Sequence, residues 1–261
     1  MLPNERRQIR YDFGLAPDLI ETYLPDDEQE DALKMVRHVN VVTTYLAWMA
    51  VGESRHYEGV LYAAALGGMD AVTDHRQSHL ADGTTLAALE GQAPHEELEL
   101  VTLASEAARS DDFDFALQQV AAWQDHSLEQ FDSPNKSRLV DITKKKGGYS
   151  AMAHLYAIKD DVTHPEERFM LEFGETMQWL DDYLDQPQDR EAGISTLFTE
   201  GYVNREDLVR KRNRMMDRAE GLWGRSAATR RFRRILKLHT RLGDIANRFD
   251  TDPARFVPYY M

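Results

Sequence analysis

Two clusters of aspartates carry the residue types and the spacing that could do chemistry in this chain. Asp70 and Asp74 are four residues apart, and Asp181, Asp185 and Asp189 recur at the same spacing. On a helix, residues four apart project from one face about a turn from each other, so each cluster forms a stripe of carboxylates. Like charges stacked in this way repel each other unless a cation lies between them. The two stripes therefore predict sites for a divalent cation.

The cation is predicted to be Mg²⁺. The sequence contains no cysteine, which excludes thiolate ligands and disulfides. Carboxylates such as those of the second cluster, with no Cys or His beside them, favour hard cations, and Mg²⁺ typically binds one or two carboxylates together with waters and phosphate oxygens. Two facing stripes could thus hold Mg²⁺ over a diphosphate group. A single stripe is more simply explained as a solvated helix face, but two stripes in one helical chain favour the metal site.

A run of three lysines that ends at Lys146 offers cationic groups for a bound phosphate. The glycine pair Gly147 and Gly148 follows in mid-helix, where such a pair lowers helix stability and often marks a kink or a close approach. We predict a kinked helix that presents Lys146 and Tyr149 to a ligand. The alternative, in which the lysines are solvated and the glycines form a packing notch, stays equally open.

The elements that must position these residues are predicted to be helices. Apolar residues recur at spacings of three and four, and no alternating run bounded by a hairpin turn is found. Acidic residues after Pro165 and Asn204 suit helix N-termini. Pro187 lies inside the second cluster, where it is expected to kink or end the helix. The predicted helices cover Asp26 to Gly52, Arg55 to Leu80, Pro94 to Arg109, Phe113 to Phe131, Ser137 to Ile158, Pro165 to Asp185, and Glu206 to Phe249 with a break near Gly221 to Ser226.

These helices predict an all-α fold, a bundle with room for a central apolar cavity, in a single domain over residues 1–261. The composition agrees, because 42% hydrophobic and 29% charged residues suit one folded unit of this length. The N-terminus lacks the apolar segment of a signal peptide, and no apolar run reaches the roughly 20 residues that span a bilayer. A cytoplasmic location is the expectation.

Charge is distributed unevenly along the sequence. The net charge is −14, yet the segment from Arg205 to Arg241 contains 13 Lys or Arg against 4 Asp or Glu, which makes it +9 and the remainder −23. Such a segment could contact nucleic acid, anionic lipid or a phosphate group, or it could be a solvated face that offsets the acidic remainder. The negative overall charge disfavours nucleic acid, so we expect no such partner. Peripheral membrane association stays open.

The two clusters resemble the two aspartate-rich motifs of the class I isoprenoid synthase superfamily, to which the class I terpene synthases belong. Asp70 to Asp74 looks like the first motif, and Gln178 to Arg190 looks like the second. Within the superfamily, the second motif is most similar to that of the large-terpene synthases, such as tetraprenyl-β-curcumene synthase. The first motif lacks a doubled aspartate, so a chain-elongating enzyme of the Asp-Asp-x-x-Asp type is a poorer match.

The resemblance implies a helical bundle in which both motifs line the mouth of a deep apolar pocket. It implies a prenyl diphosphate substrate, three Mg²⁺ ions bound with the diphosphate, loss of the diphosphate, and a carbocation that cyclises or eliminates. Association as a homodimer is left open. Arg76 and Arg190 would be diphosphate partners. The metal ligands implied by motif position, of which the first four would also be catalytic, are Asp70, Asp74, Asp181, Asp185 and Asp189.

Three alternatives remain. A head-to-head prenyltransferase of the squalene or phytoene synthase type also uses paired aspartate motifs, usually with more acidic and arginine residues than Asp70 to Arg76 contains. A ferritin-like di-metal protein needs two Glu-x-x-His pairs, and only Glu53 to His56 matches. A non-catalytic helical interaction protein would use the basic segment and leave the aspartates at the surface. Carboxylates that face inward favour an enzyme, and carboxylates that face outward favour an interaction protein.

Overall fold

Helices form every regular element in the described part of the structure, a computed structural model that describes residues 18, 20–22, 29, 33, 39, 42–52, 59, 61–66 and 110–250. These residues contain no strand, which confirms the all-α prediction. None of the described helices is long and apolar enough to cross a membrane. Before residue 110, the described helical residues are 18, 20–22, 29, 33, 39, 42–50, 59 and 61–66. The α-helices that follow are α1 (Asp111–Ser127), α2 (Lys136–Ile158), α3 (His164–Leu184), α4 (Gln186–Ala192), α5 (Arg205–Trp223) and α6 (Ala227–Phe249), with a 3₁₀ helix (Leu128–Asp132) after α1.

The apolar periodicity predicts the helices after residue 110 to within a few residues of their observed ends. Ser137 to Ile158 is α2, Pro165 to Asp185 is α3, and the break near Gly221 to Ser226 separates α5 from α6. The predicted helix from Phe113 to Phe131 is α1 together with the 3₁₀ turn. The short α4 is not predicted by the sequence. The helices predicted before residue 110 lie largely outside the described residues.

The chain divides into two compact units. The first comprises Met1–Asp125 and Met152–Val162, and the second comprises His126–Ala151 and Thr163–Met261. In the first unit, the buried Tyr62 ring meets the edge of Phe113 at a centroid distance of 5.6 Å and that of His154 at 4.3 Å. The prediction of a single domain stays a prediction.

In the second unit, α3 packs against both α5 and α6. The Phe173 ring of α3 stacks on Phe232 of α6 with centroids 5.8 Å apart, and Phe169 meets Trp223 of α5 edge-on at 5.1 Å. Burial of each such aromatic side chain stabilises the fold by about 2 to 3 kcal/mol. Phe173, which is almost fully buried, is therefore part of this core.

Side chains at the N-termini determine where the helices begin. The Thr163 N–H donates to Glu166 Oε2 at 2.9 Å, which closes the capping box of α3 two residues before the predicted start at Pro165. The other oxygen of Glu166 accepts the indole N–H of Trp223 at 2.9 Å, so the cap also ties α3 to the end of α5. Equivalent capping boxes begin α5 and α6, formed by Asn204 with Asp207 and by Ser226 with Thr229.

Glycines allow α2 and α3 to touch backbone to backbone. A Cβ atom added at Gly174 would lie 1.9 Å from the carbonyl oxygen of Gly147, and one added at Gly147 would lie 2.4 Å from the carbonyl oxygen of Gly174. No side chain fits at either position, so the pair is a packing notch that brings two helix backbones together. The packing notch, one of the two alternatives that the sequence leaves open, is thus observed at Gly147, and α2 runs through it as one continuous helix. That this helix presents Lys146 and Tyr149 to a ligand stays a prediction.

Candidate functional site

The candidate site lies at the C-terminal end of α3, where the second aspartate cluster begins. The helix ends at Leu184 because Asp185, with φ −92° and ψ 6°, leaves helical geometry, and α4 begins at Gln186 with Pro187 in its first turn. Proline suits that position, since its missing N–H would have had no helical partner. The interruption predicted from Pro187 is confirmed. Asp185 therefore sits at a junction, where its N–H donates to Asp181 O at 2.9 Å and its carbonyl accepts Asp189 N–H at 2.9 Å.

Asp182 is the buried carboxylate of the cluster, with 6% of its surface exposed. Gln178 Nε2 donates to its Oδ1 at 3.0 Å, while its Oδ2 is buried without a hydrogen-bond partner in the described part of the chain. Burial raises the pKa of Asp182 to about 7, the Gln178 hydrogen bond and the charge of Lys146 oppose that rise, and the charge of Asp181 adds to it. A buried carboxylate with an unsatisfied oxygen is costly in free energy unless a proton or a cation reaches it.

The other carboxylates of the cluster are more accessible. Asp181 is exposed, and Asp185 and Asp189 are partly exposed. The Gln178 amide that binds Asp182 also reaches Asp181 Oδ2 at 3.4 Å, so one amide lies between two neighbouring carboxylates. Arg190 on α4 is exposed. The end of α3 thus presents the carboxylates of Asp181, Asp182 and Asp185 within about one helical turn, which we call the acidic turn. Of the two neighbours, Asp182 is buried and Asp181 is exposed.

Lys146 supplies positive charge beside this end of α3. It lies on α2 next to the Gly147 notch, is partly buried, and its charge lowers the pKa of Asp182. The Gly147 contact continues to Gln178, whose Cβ would lie 3.1 Å from a Cβ added at Gly147. The glycine notch therefore brings Lys146 of α2 close to the aspartates at the end of α3. Tyr149, one of the predicted ligand-binding residues, is partly buried on the same helix.

Sequence reasoning selected Asp181, Asp185 and Asp189 and passed over Asp182. The signal for Asp182 was present, because it lies eight residues after Gly174 and four after Gln178, on the face of α3 that meets α2. To select Asp182, one must know which face of α3 points inward, and the number and spacing of carboxylates do not give that information. The remaining predicted residues, Asp70, Asp74 and Arg76, lie outside the described residues, as do Glu53 and His56.

A second cation, Lys211 of α5, contacts another side of α3. Its Nζ lies 2.8 Å from Glu175 Oε1, with both side chains largely buried, and 4.8 Å from the centroid of the Trp179 ring. The buried indole N–H of Trp179 has no hydrogen-bond partner in the described structure. Lys211 is one of the basic residues that the sequence offers as a phosphate partner, but here its charge is already neutralised by a carboxylate.

A polar cluster holds α6 against the end of α3. Tyr183 donates its O–H to Asp244 Oδ1 at 2.8 Å, and Arg205 binds both oxygens of Asp244 at 2.5 and 2.9 Å. Asn247 Nδ2 donates to the Tyr183 carbonyl at 2.7 Å, which satisfies one of the carbonyls left open where α3 ends. The Arg205 hydrogen bond lowers the pKa of Asp244 below its ordinary value, and burial raises the pKa of Tyr183. These bonds hold the last turn of α3 in place against α6.

The donors at this turn fit a hard cation. Asp181, Asp182 and Asp185 offer carboxylate oxygens, Gln178 offers an amide oxygen, and the unpartnered Oδ2 of Asp182 has a lone pair to give. Oxygen ligands of this kind suit Mg²⁺, which needs only one or two carboxylates when phosphate oxygens and waters complete its octahedron. Within residues 110–250 and the described segments before them, no group of three or more His, Asp or Glu side chains converges as a metal cage.

Comparisons with known proteins provide no relative. No protein-family model, no curated protein and no solved structure matches this chain.

Proposed function

We propose that this protein is a Mg²⁺-dependent enzyme of the class I terpene synthase type, which ionises a prenyl diphosphate and converts the resulting carbocation to a terpene. The observation that carries the proposal is the acidic turn at the end of α3. There Asp182 is buried with one carboxylate oxygen unsatisfied, Asp181 and Asp185 flank it, and Lys146 lies nearby. Opposite charges held in a partly dry site suit a diphosphate bound through a metal ion.

Each group at this turn has a role in that chemistry. Mg²⁺, when bound, neutralises the negative charge that develops on the leaving diphosphate. Gln178 orients the Asp182 carboxylate by donating to Oδ1, which would leave Oδ2 to hold a cation. Lys146 adds fixed positive charge for the phosphate oxygens. Because the Gly147 and Gly174 backbones are in contact, the distance between the lysine and the carboxylates is held by the helix crossing.

The first aspartate motif enters the proposal from the sequence. Asp70 and Asp74 are proposed metal ligands and Arg76 a proposed diphosphate partner, on the strength of their resemblance and spacing alone. The proposal for Asp185, Asp189 and Arg190 rests on their place at the end of α3 and in α4, and that for Tyr149 rests on the sequence. We further propose that the product forms in an apolar cavity of the helical bundle.

The test is incubation with a panel of prenyl diphosphates from C10 to C35 plus Mg²⁺, with measurement of pyrophosphate release and analysis of extracted hydrocarbons. We expect turnover that chelation of Mg²⁺ abolishes. Asp182→Asn, Asp185→Ala and Asp70→Ala should each lower the rate at least 100-fold with the fold retained by circular dichroism. Asp132→Asn is the matched control, since Asp132 is an exposed aspartate at the end of the 3₁₀ helix and is not one of the proposed ligands.

A binding measurement separates a missing substrate from a missing site. Mg²⁺ with inorganic pyrophosphate should raise the thermal unfolding midpoint of the wild type and of Asp132→Asn, because a ligand stabilises the state that binds it. The midpoint of Asp182→Asn should not respond. If neither turnover nor a midpoint shift is found in the wild type, or if Asp182→Asn behaves like the control in both assays, the proposal is wrong.

A further inference from the structure

The outward face of α6 carries a row of exposed cations. Arg230, Arg234, Lys237, Arg241 and Arg248 follow one another at spacings of three, four and seven residues, and all are exposed. Residues at these spacings lie on one face of a helix. The inward face of the same helix is apolar and buried. The basic residues of this row therefore form one continuous surface along α6.

Among the described residues, the cations of this row have no acidic partner, whereas most cations of α5 have one. On α5, Arg205, Arg210, Lys211 and Arg218 each form an ion pair with a carboxylate, as does Arg233 on the inner side of α6. For Arg234, Lys237 and Arg241, no carboxylate of the described residues lies within ion-pair distance. The chain has a net charge of −14, yet none of the acidic residues that the structure describes pairs with this row.

Large apolar side chains border the same row. Leu238 is 42% exposed, Ile245 is 37% exposed and Phe249 is 64% exposed. All three lie along the side of α6 adjacent to the cations, and the Arg248 guanidinium stands 5.5 Å from the centroid of the Phe249 ring. Isolated exposed apolar residues are ordinary in proteins, but three that flank a cationic row form an amphipathic surface.

Contacts on the inner side hold this surface in one orientation. Gly243 lies so close to Tyr183 that an added Cβ would be 2.7 Å from its ring, and Asp244 and Asn247 bind Tyr183 through its hydroxyl and its carbonyl. Phe232 stacks on Phe173 near the start of the helix. Rotation of α6 would break all of these contacts, so the cationic row is presented as a fixed outer face.

We infer that the outward face of α6 binds the surface of an anionic phospholipid bilayer. Basic residues attract acidic headgroups, and neighbouring Leu, Ile and Phe side chains can enter the boundary between headgroups and acyl chains. Phosphates of a nucleic acid would satisfy the cations but offer nothing to the apolar side chains, and the strongly negative remainder of the chain opposes nucleic acid. This inference rests on α6 alone and does not depend on the proposed enzymatic function.

The experiment is flotation of the full chain with two kinds of vesicle, phosphatidylcholine alone and phosphatidylcholine mixed with phosphatidylglycerol. We expect binding to the mixed vesicles, weakened by salt, and little binding to phosphatidylcholine alone. The triple variant Arg234→Gln, Lys237→Gln, Arg241→Gln should bind about 100-fold more weakly, because each cation near an anionic surface contributes about a fivefold gain. Phe249→Ser, which removes an exposed apolar group and no charge, should bind about tenfold more weakly.

A second triple variant, Arg210→Gln, Arg214→Gln, Arg218→Gln, is the matched control. It changes the net charge of the chain by the same amount but acts on exposed residues of α5, two of which already have acidic partners. We expect it to lose less than about threefold in binding. The inference is overturned if the wild type does not bind mixed vesicles, if both triple variants lose binding equally, or if the α6 triple variant loses only self-association or binding to a labelled DNA duplex.

Discussion

Replacement of Asp182 by asparagine should change how the stability of this protein depends on pH. The substitution keeps the shape of the side chain and the oxygen that accepts from Gln178, but it removes the ionisable group. Asp182 has a pKa of about 7 in the folded chain against an ordinary value of 3.8, chiefly because burial disfavours its charged form. The unfolded chain has no such burial, so the two states bind protons differently between these values.

The sign follows from which state holds the proton. Between pH 3.8 and about 7 the folded chain keeps a proton on Asp182 that the unfolded chain has lost. The stability contributed by the protonated group is therefore fully present below the unfolded value and is lost as the pH rises to about 7. At about 1.4 kcal/mol per pH unit, the loss amounts to about 4 kcal/mol in total. About 2 kcal/mol of it falls between pH 5.5 and 8, a range that avoids the pI near 5.1.

The assay is urea unfolding, followed by far-UV circular dichroism at several pH values from 5.5 to 8 with Mg²⁺ removed by a chelator. The free energy of unfolding of Asp182→Asn relative to wild type should rise by about 2 kcal/mol across this range. The asparagine N–H₂ left buried adds a constant cost of about 1 to 3 kcal/mol at every pH, so the slope is the measured quantity. Asp132→Asn, at an exposed position, should show no slope.

A difference between Asp182→Asn and wild type that stays constant from pH 5.5 to 8 would refute the reasoning. It would mean that Asp182 is not buried in a dry environment or that a permanent partner keeps it ionised. Addition of Mg²⁺ with pyrophosphate should flatten the pH dependence of the wild type, because a cation at Oδ2 favours the charged carboxylate.

Two further substitutions test the helix contacts that hold the site. Gly174→Ala should destabilise the protein by at least about 3 kcal/mol in urea unfolding, because its Cβ would overlap the backbone of α2. Gly221 is the control, a helical glycine at which an added Cβ would have no atom within 4 Å. Gly221→Ala should be neutral or stabilising by up to about 1 kcal/mol. Equal effects of the two changes would contradict the close crossing. Tyr183→Phe should lower the free energy of unfolding by about 1 kcal/mol, because it removes the hydrogen bond from Tyr183 to Asp244 of α6. Amide hydrogen exchange should show faster opening of α6 in this variant. Unchanged exchange would show that this bond does not hold the helix.

Much of the secondary structure after residue 110 was predictable from the sequence, because amphipathic helices leave a local record. The spacing of apolar residues marks α2, α3 and the division of α5 from α6, and the acidic residues after Pro165 and Asn204 mark helix starts. Pro187 predicts the end of α3 for the local reason that proline cannot continue a helical hydrogen-bond ladder. The sequence also predicts that an acidic cluster lies at the end of this helix.

The direction in which each carboxylate faces depended on tertiary structure. Asp181 and Asp182 are neighbours with the same side chain, yet one is exposed and the other buried, because the contact of Gly174 with Gly147 turns the Asp182 face of α3 toward α2. That contact joins residues far apart in sequence, so no local pattern could specify it.

Which basic residues form ion pairs was likewise not predictable from local sequence. Composition determined that the C-terminal segment is basic. Only the folded arrangement decided that Arg205, Arg210, Lys211 and Arg218 of α5 pair with carboxylates while α6 presents an exposed row, since ion pairing requires the partners to meet in space.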